Sequence, residues 1–512
     1  MAITAARMRR AMRREVLGVD VGGALNLVGA IVRYLSLAFL LPVAIAIGYG
    51  EPVWPFLVAA ALTAAFGWTL TLVTHGRETA GAREGFLVVS LTWVLGAFFI
   101  SLPYLFAEPQ LRHPVDAYFE AMSGMTTTGA SVLTDVEALD RSMAMWRQFS
   151  QWLGGMGIIV LALAVLPRLR IGGRQLMEFE APGPELEPLA VRIRDTARRL
   201  WFLYVGFTLL MILVLSLVGW SGLDERMTFY DAVAHAFTTL PTGGFSPRAR
   251  SLEEFGAVSQ WVVVVFMLIA GANFVLMYRA LVRREPRVLV RDEELRLYVG
   301  LLATGAIILF LDLASEGIAT GEEGIRQAVF EAVTTMTTTG YAVTDYAANW
   351  TALGFMVLVF LMFVGGSAAS TGGAIKVVRI LLLGRILGRE LDQTVHREAV
   401  LPLRFNRRVV EERTVRAVSV FVLLYVVVFA LGALVIGIDS GRADVGVRPF
   451  DAVAAAATTI GNVGPALGFA GPMGSFQPFS DLSKGVMIVL MWMGRLELIP
   501  VVVLFTRSYW RA

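Results

Sequence analysis

The chain has 512 residues, of which 56% are hydrophobic and only 17% are charged. A soluble globular protein carries about a quarter charged residues, so this composition excludes an ordinary soluble enzyme and indicates an integral membrane protein. Cysteine is absent, which excludes disulfides, thiolate catalysis and cysteine metal sites. The formal net charge is only +3. Basic residues lie beside apolar segments, where they indicate membrane topology rather than nucleic-acid binding.

Hydrophobic segments long enough to cross a bilayer, which takes about 20 residues, recur along the whole chain. We predict ten crossings, at residues 25–47, 55–73, 86–106, 146–166, 200–220, 258–281, 297–315, 351–387, 415–438 and 486–505. The eighth is too long for one straight crossing, and it holds GGSAASTGG in its middle. Arginine-rich loops before residues 25 and 200 and after residues 281 and 376 predict the cytoplasmic side. Ten crossings then leave both termini in the cytoplasm.

Four short segments in the acid-rich outer loops share one pattern. They are DAYFEAMSGMTTTGA from Asp116, DAVAHAFTTLPTGGF from Asp231, QAVFEAVTTMTTTGY from Gln327 and DAVAAAATTIGNVGP from Asp451. Thirteen residues from each start stands a glycine: Gly129, Gly244, Gly340 and Gly464. The pairs before these glycines are Thr127 and Thr128, Thr242 and Gly243, Thr338 and Thr339, and Asn462 and Val463. This recurrence predicts four copies of helix, half-helix, glycine turn and helix, after an N-terminal pair of spans.

The residue types in each repeat suit a path for a cation. Asp116, Asp231 and Asp451 suit the N-cap of a short helix that enters from outside. The C-terminal partial negative charge of each such helix would point to the bilayer centre and favour a cation. Glycine can adopt positive φ, so that successive carbonyl oxygens turn toward a shared axis and replace an ion's hydration shell. The alternative is that Gly, Ala and Thr only allow tight helix packing, which one such segment alone would not exclude.

These segments resemble the Trk/Ktr/HKT superfamily of potassium transporters, most closely its TrkH type. The resemblance extends to QWLGGMGIIVLALAVLP, IAGANFVLMYRAL, GGSAASTGGAIKVVRILLL and MGRLELIPVVVLF. It implies an all-α polytopic membrane protein with four M1–pore helix–M2 repeats around a pseudo-fourfold pore, plus two N-terminal transmembrane helices. The expected divisions are 1–80 for the N-terminal extension, 81–170, 171–285 and 286–395 for the first three repeats, and 396–512 for the fourth.

The resemblance also implies K⁺ uptake across the bacterial inner membrane, with K⁺ as the transported ion and no bound organic cofactor. It implies a homodimer in the lipid bilayer, and a cytosolic TrkA-type nucleotide-binding regulatory subunit that docks on loops such as 172–199 and 379–408. Gly129, rather than serine, favours K⁺ over Na⁺ in this family. A Na⁺-permeable or Na⁺/H⁺-coupled transporter stays open as an alternative. An intramembrane enzyme would need paired catalytic groups, and none appear in the sequence. A symporter built on inverted repeats would need broken helices in opposed halves, whereas the four segments all enter from one side.

The interrupted eighth span resembles the family's intramembrane gating loop beneath the filter. Its candidate gating residues are Gly365, Gly366, Ser370, Thr371, Gly372, Gly373 and Lys376, together with Arg495 from the last span. Lys376 could instead be a membrane-edge lysine that extends to the cytoplasm. Arg495 lies in mid-span, where a charge is costly and usually functional. It resembles the family's pore-facing arginine, and the alternative is a structural ion pair with Glu497.

Overall fold

The computed structural model describes residues 19–75, 81–164, 189–442 and 447–511, and these are almost entirely helical. The helices of the N-terminal half are α1 (Val21–Leu35), α2 (Leu40–Tyr49), α3 (Trp54–Val73), α4 (Ala82–Ala107), α5 (Pro114–Met125), α6 (Arg141–Ala164), α7 (Leu189–Trp220), α8 (Phe229–Thr239), α9 (Ala257–Gly271) and α10 (Phe274–Leu281). Short 3₁₀ turns lie at Ser36–Phe39, Pro109–Leu111 and Ser251–Glu254.

The C-terminal half continues in the same way. Its helices are α11 (Arg287–Arg291), α12 (Glu293–Ser315), α13 (Gly321–Met336), α14 (Tyr346–Asn349), α15 (Ala352–Phe363), α16 (Val377–Val395), α17 (Glu412–Arg442), α18 (Pro449–Gly461), α19 (Asp481–Arg495), α20 (Ile499–Val502) and α21 (Arg507–Trp510). Strands β1 (Arg404–Phe405) and β2 (Arg408–Val409) form one small antiparallel hairpin. Two further 3₁₀ turns lie at Gly468–Ala470 and Val503–Phe505. The all-α polytopic prediction is confirmed.

Within the described residues, six helices are long and apolar enough to cross a membrane, or eight spans if two bent helix pairs are counted. The bent pairs are α9 with α10, at 104°, and α19 with α20 and its 3₁₀ extension, at 113°. Both had been predicted as uninterrupted crossings. The predicted crossing 351–387 is α15, a non-helical segment and α16, as the glycine-rich sequence in its middle indicates. The crossing 146–166 coincides with α6, and its last two residues lie outside the described part of the chain.

Identifiable local features produce the two bends. The side chain of Asn273 accepts hydrogen bonds from the backbone N–H groups of Val275 (2.9 Å) and Leu276 (3.3 Å) and so caps a new helix. At the other bend, Glu497 and Leu498 take positive φ values of 58° and 55°, which ends α19 abruptly. A hydropathy profile does not detect either change of direction, because the apolar composition continues through it.

Four short helices, α5, α8, α13 and α18, lie between the longer ones and are called the pore helices below. Each packs between the two helices of its own repeat and against the inner helix of the preceding repeat. Thus α5 contacts α19, α8 contacts α6, α13 contacts α9 and α18 contacts α15, which closes a ring. α1 packs against α3 and α4 outside this ring. The residue limits of the five predicted divisions stay a prediction.

The predicted N-cap role of the aspartates is wrong by one helical turn. The three pore helices that contain these aspartates begin three residues earlier than an N-cap aspartate would predict. Asp116, Asp231 and Asp451 therefore occupy the third helical position. Proline at the first helical position, Pro114 and Pro449, fixes a helical φ and moves two of these starts. The carboxylates still lie in the first turn, where the helix dipole favours a negative charge.

Candidate functional site

All four pore helices end in the same way. Positive φ values occur at Thr127 (50°), Thr242 (55°), Thr338 (60°) and Asn462 (54°), directly after the last helical turn. The N–H of the next residue then donates to a carbonyl five residues back, at 2.8, 2.8, 2.8 and 2.9 Å in the four repeats. This is the Schellman arrangement, in which glycine is the usual left-handed residue. Three threonines in its place are strained, and such strain clusters at functional sites.

Two residues further on, the backbone turns left-handed again at the predicted glycines. Their φ values are 86° at Gly129, 76° at Gly244, 83° at Gly340 and 113° at Gly464. Glycine adopts these angles without the steric cost that a Cβ brings. Because left-handed residues alternate with ordinary ones, the peptide planes of each segment are turned in the same alternating sense in all four repeats.

The four glycines form a closed ring. A Cβ atom added to Gly129 would lie 2.3 Å from the carbonyl oxygen of Gly243, and one on Gly244 would lie 1.9 Å from that of Thr339. A Cβ on Gly340 would lie 2.0 Å from the oxygen of Val463, and one on Gly464 would lie 2.8 Å from that of Thr128. Each repeat therefore touches the next, and the fourth touches the first. The common offset in the sequence predicted which glycines meet.

The carbonyl oxygens of these segments are almost all free. Of the twelve filter residues (127–129, 242–244, 338–340 and 462–464), only Gly243 has a backbone oxygen that accepts a hydrogen bond within the described part of the chain. Buried carbonyls elsewhere in proteins are nearly always paired. Eleven carbonyl oxygens in one ring of segments, without a hydrogen-bond partner among the described residues, are a suitable set of ligands for a dehydrated cation.

The hydrogen bond to the Gly243 oxygen explains why the second repeat has glycine where the first and third have threonine. Gln151 on α6 donates from Nε2 to the Gly243 oxygen (2.6 Å), and its Oε1 accepts from the Phe245 N–H (3.1 Å). A Cβ on Gly243 would lie 2.4 Å from Gln151 Cδ, so the threonine found in the first and third repeats does not fit here. Sequence reasoning missed Gln151 as a site residue. Its signal was a polar residue in an apolar helix.

A second missed feature is a set of braces from the pore helices to the segments that follow the filter. The residue four positions after each segment start is Glu120, His235 or Glu331 in the first three repeats. Val132 N–H donates to Glu120 (3.0 Å) and Val343 N–H to Glu331 (2.9 Å), both across twelve residues. His235 Nε2 lies 3.1 Å from Ser246 Oγ. The fourth repeat has Ala455 there and no such side chain.

The brace at Glu120 also includes a buried ion pair. Arg147 Nε donates to Glu120 Oε1 at 2.5 Å, and the two side chains are 3% and 0% exposed. Arg147 also donates to the Ser246 carbonyl (3.2 Å), and its guanidinium carbon lies 3.5 Å from the centroid of the Phe245 ring. This arginine therefore joins the first pore helix to the residues that directly follow the filter of the second repeat.

Arg147→Ala should strongly destabilise the protein, because it leaves the Glu120 carboxylate buried without a counter-ion. Breaking a buried pair in this way costs about 3–5 kcal/mol. Thermal unfolding of the detergent-solubilised protein should show a much lower midpoint than for Arg250→Ala. Arg250, whose side chain is 54% exposed, pairs with Glu253, and such pairs contribute at most about 1 kcal/mol. Equal shifts for the two variants would contradict the bracing role.

All four filter glycines line one cavity on the side where the post-filter segments lie. Arg248 lines it too and forms a two-pronged pair with Asp231, from Nε (3.1 Å) and Nη2 (2.9 Å). The hydrogen bonds to Asp231 raise the pKa of Arg248, which remains cationic at every physiological pH. Within residues 19–75, 81–164, 189–442 and 447–511, no three His, Asp or Glu side chains cluster as a protein-held metal site requires.

The glycine-rich segment 364–376 is non-helical and lies against the inner ends of three pore helices. Thr371 Oγ1 donates to the carbonyl of Leu240 (2.9 Å), and Gly373 N–H donates to Thr338 Oγ1 (2.7 Å). A Cβ on Gly373 would lie 2.3 Å from the Gly461 oxygen. The segment is held in place by Gly365 N–H, which donates to Ile375 (2.9 Å). It thus lies directly under the left-handed residues of the filter.

The remaining small residues of this segment have equally close neighbours. A Cβ on Gly366 would lie 2.7 Å from Ser370 Oγ and 2.8 Å from the Gly271 oxygen, and one on Gly372 would lie 3.0 Å from the Thr337 oxygen. Ser370 Oγ donates to the Ser367 carbonyl (2.6 Å). The glycines are therefore needed where the segment passes other backbone, and the predicted gating residues are all brought together.

Lys376 does not extend to the cytoplasm, contrary to one of the sequence interpretations. Its side chain is buried, and Nζ donates to the carbonyl of Gly372 and lies 3.4 Å from both the carbonyl and Oγ of Ser370. The free carbonyls of the tight segment attract the ammonium group back into the protein. Lys376 therefore ties the segment to its own exit helix, α16.

Arg495 also turns toward this segment. Its Nη1 donates to the Thr371 carbonyl (2.7 Å), while Nε and Nη2 have no hydrogen-bond partner among the described residues. The alternative of an ion pair with Glu497 is wrong, because Glu497 pairs with Arg379. The bend after α19 separates the two side chains, so that neighbours in sequence point to different surroundings.

Comparison with known proteins gives one consistent result. The TrkH family, described as "Cation transport protein", matches residues 55–511. The Trk system potassium uptake protein TrkH of Escherichia coli (strain K12) is 36% identical over 497 residues, which cover 95% of this chain and 98% of the relative. TrkI of Halomonas elongata is 37% identical over 435 residues, 83% of this chain and 84% of the relative.

A solved structure is similar over the same extent. The crystal structure of the potassium transporter TrkH from Vibrio parahaemolyticus superimposes with a TM-score of 0.86 at 33% identity, and covers 96% of this chain and 100% of its own. The resemblance found in the sequence is thereby confirmed, and the protein is a transporter rather than an enzyme. The chain belongs to the TrkH family of cation transport proteins.

Proposed function

We propose that this protein carries K⁺ into the cell through the ring formed by the twelve filter residues 127–129, 242–244, 338–340 and 462–464. The observation that carries the proposal is the closed ring of the four filter segments, in which eleven backbone oxygens have no hydrogen-bond partner within the described part of the chain. Such oxygens replace the hydration shell of an ion without a protein charge that would bind it too tightly to leave. The relatives named above are potassium uptake proteins, which favours K⁺ as the ion.

The segment 364–376 is the gate of this path in our proposal. Its hydrogen bonds to Leu240 and Thr338 position it across the inner end of the ring, where an ion leaving the filter would meet it. The buried cations Lys376 and Arg495 hold its carbonyls and add positive charge at the same level. Opening requires these contacts to break, which gives a regulatory partner a defined element to move.

A cytosolic TrkA-type nucleotide-binding subunit is the proposed regulator, and a homodimer in the bacterial inner membrane is the proposed assembly. The relatives are named as parts of a Trk system, which agrees with separate subunits. On the side predicted to be cytoplasmic, Arg385, Arg389, Arg404 and Arg407 line an open cavity beside α16 and the β-hairpin. The other predicted docking loop, 172–199, falls largely outside the described residues.

The proposed function is tested with purified protein in liposomes that separate K⁺ from Na⁺. We expect a reversal potential close to the K⁺ equilibrium potential and a shift when external K⁺, but not Na⁺, is changed. A reversal potential that follows Na⁺ equally would contradict K⁺ selectivity and favour the Na⁺-permeable alternative. A proton gradient that shifts it would indicate the coupled alternative.

A further inference from the structure

The residue that follows each filter glycine differs among the repeats. It is Ala130 in the first, Phe245 in the second, Tyr341 in the third and Pro465 in the fourth. The two aromatic rings pack behind the pore helix of the preceding repeat. Phe245 lies against Gly124 and Arg147 of the first repeat, and Tyr341 lies with its ring centroid 5.8 Å from that of His235 in the second.

Tyr341 is fully buried, and its hydroxyl reaches three groups of the second pore helix. It donates to the His235 carbonyl at 3.1 Å, lies 3.1 Å from Thr239 Oγ1 and forms a short hydrogen bond with Thr238 Oγ1. All of these partners are more than 100 residues away in the chain. Among the described residues, hydrogen bonds between hydroxyl groups join the residue after a filter glycine to the pore helix of another repeat only here.

The hydrogen bond between Tyr341 and Thr238 has no counterpart at the equivalent positions of the other three repeats in the described part of the chain. The residue seven positions after each segment start carries a hydroxyl group in every repeat: Ser123, Thr238, Thr334 and Thr458. The hydroxyls of Ser123, Thr334 and Thr458 are buried and have no hydrogen-bond partner among the described residues. Of these four hydroxyl groups, that of Thr238 contacts a tyrosine hydroxyl. The residues that follow the other three filter glycines are alanine, phenylalanine and proline, which have no hydroxyl group.

Thr238 is also the residue that holds the filter of its own repeat. Its carbonyl accepts from the Gly243 N–H at 2.8 Å, at the Schellman turn. One side of Thr238 therefore fixes the second filter segment and the other side fixes the third. We propose that Tyr341 is a positioning residue for ion selection, whose hydroxyl sets the spacing between the second and third filter segments through Thr238. This inference rests on the proposed function of the ring.

The physical basis is the narrow tolerance of a carbonyl ring. In the ring, the Gly244 backbone and the Thr339 carbonyl are so close that an added Cβ would lie 1.9 Å from the oxygen. This contact is between the same two repeats that Tyr341 joins. If the Tyr341 hydroxyl is removed, the second and third filter segments can separate slightly. A wider ring of carbonyls then no longer compensates the dehydration of K⁺ better than that of Na⁺. Flux itself does not require the hydroxyl.

The test is Tyr341→Phe, which removes the hydroxyl oxygen and keeps the aromatic ring that fills the space. We expect the K⁺/Na⁺ permeability ratio to fall about tenfold, whereas K⁺ flux per folded protein changes much less. The matched control is Tyr425→Phe, because the hydroxyl of Tyr425 is buried without a partner among the described residues. The control should keep the wild-type ratio. A role in folding alone would lower the fluxes of both ions together and leave the ratio unchanged.

A double-mutant cycle with Thr238→Val makes the assignment specific. Val keeps the shape of threonine and the Thr238 backbone carbonyl but removes the hydroxyl. If the two hydroxyls act through each other, the double variant should have the same ratio as either single variant, and independent effects that multiply would overturn the proposal. An unchanged ratio in Tyr341→Phe would also overturn it.

The ion path through the ring and the role of Tyr341 can fail separately. Gly129→Ser changes the ring directly and tests the proposed function. If Gly129→Ser raises the relative permeability of Na⁺ and Tyr341→Phe does not, the ring conducts and only the role of Tyr341 is wrong. If the wild-type protein itself shows no preference for K⁺, the proposed function fails first, and with it the inference.

Discussion

Gly244→Ala should reduce K⁺ flux per folded protein by about a hundredfold. The new Cβ would lie 1.9 Å from the carbonyl oxygen of Thr339, and the residue would have to keep φ at +76°. Such a backbone conformation costs a non-glycine residue about 1–3 kcal/mol, and about 1.4 kcal/mol corresponds to tenfold in rate. Relief requires a shift of the Thr339 carbonyl, which belongs to the proposed ion path.

The four glycines should form a graded series. Gly340→Ala and Gly129→Ala, with Cβ positions 2.0 and 2.3 Å from the neighbouring oxygen, should resemble Gly244→Ala. Gly464→Ala should be milder, because its Cβ would lie 2.8 Å away. Gly300→Ala on α12 is the control, since nothing lies within 4 Å of that Cβ. If Gly244→Ala conducts as well as Gly300→Ala, the ring is not the ion path.

Arg495→Ala should increase K⁺ flux and weaken the dependence of this flux on the proposed cytosolic subunit. A cation in transit about 4 Å from a fixed charge is repelled by about 1 kcal/mol in water and about 4 kcal/mol at an effective dielectric constant near 20. The larger figure corresponds to roughly a thousandfold in rate, which is the upper limit of the expected increase. The substitution also removes the hydrogen bond to the Thr371 carbonyl, so the proposed gate, segment 364–376, loses an anchor.

The controls for this prediction separate charge from anchoring. Arg495→Lys keeps the charge but loses the planar fork, and it should stay closer to the wild type than Arg495→Ala. Selectivity should not change in either variant, because the ring of glycines is untouched. The measurement is flux per folded protein in liposomes, with and without the partner. A drop of this flux in Arg495→Ala would contradict a barrier role and indicate a structural one.

The parts of this protein that the sequence predicts best are those that depend on local conformation. The offset of thirteen residues identified all four ring glycines, because each follows its pore helix by the same two left-handed steps. The break in the eighth span was also predictable, since GGSAASTGG does not favour a helix. Three of the four pore helices begin three residues before the start that an N-cap aspartate predicts, because a proline or threonine sets the first turn instead.

The missed features all depend on residues far apart in the chain. Gln151 contacts Gly243 across 92 residues, and Tyr341 contacts Thr238 across 103. The alternative pair between Arg495 and Glu497 is wrong for the same reason, since Glu497 pairs with Arg379 of another repeat, whereas the expected position of Arg495 beside the glycine-rich segment agrees with its hydrogen bond to Thr371. Periodicity and hydropathy contain no information about such pairs. The aligned repeats do contain a signal for Glu120, His235 and Glu331, because these polar residues share one position.

The central claim is that one ion path passes through the ring of Gly129, Gly244, Gly340 and Gly464. The most direct measurement is a crystal structure with Tl⁺ or Rb⁺ in place of K⁺, in which anomalous scattering locates the ions. We predict anomalous peaks on the axis of the ring, between the oxygens of the residues that precede the four glycines and those of the glycines themselves. Crystals of transport-competent protein that show the ions bound elsewhere, with none on this axis, would contradict the account.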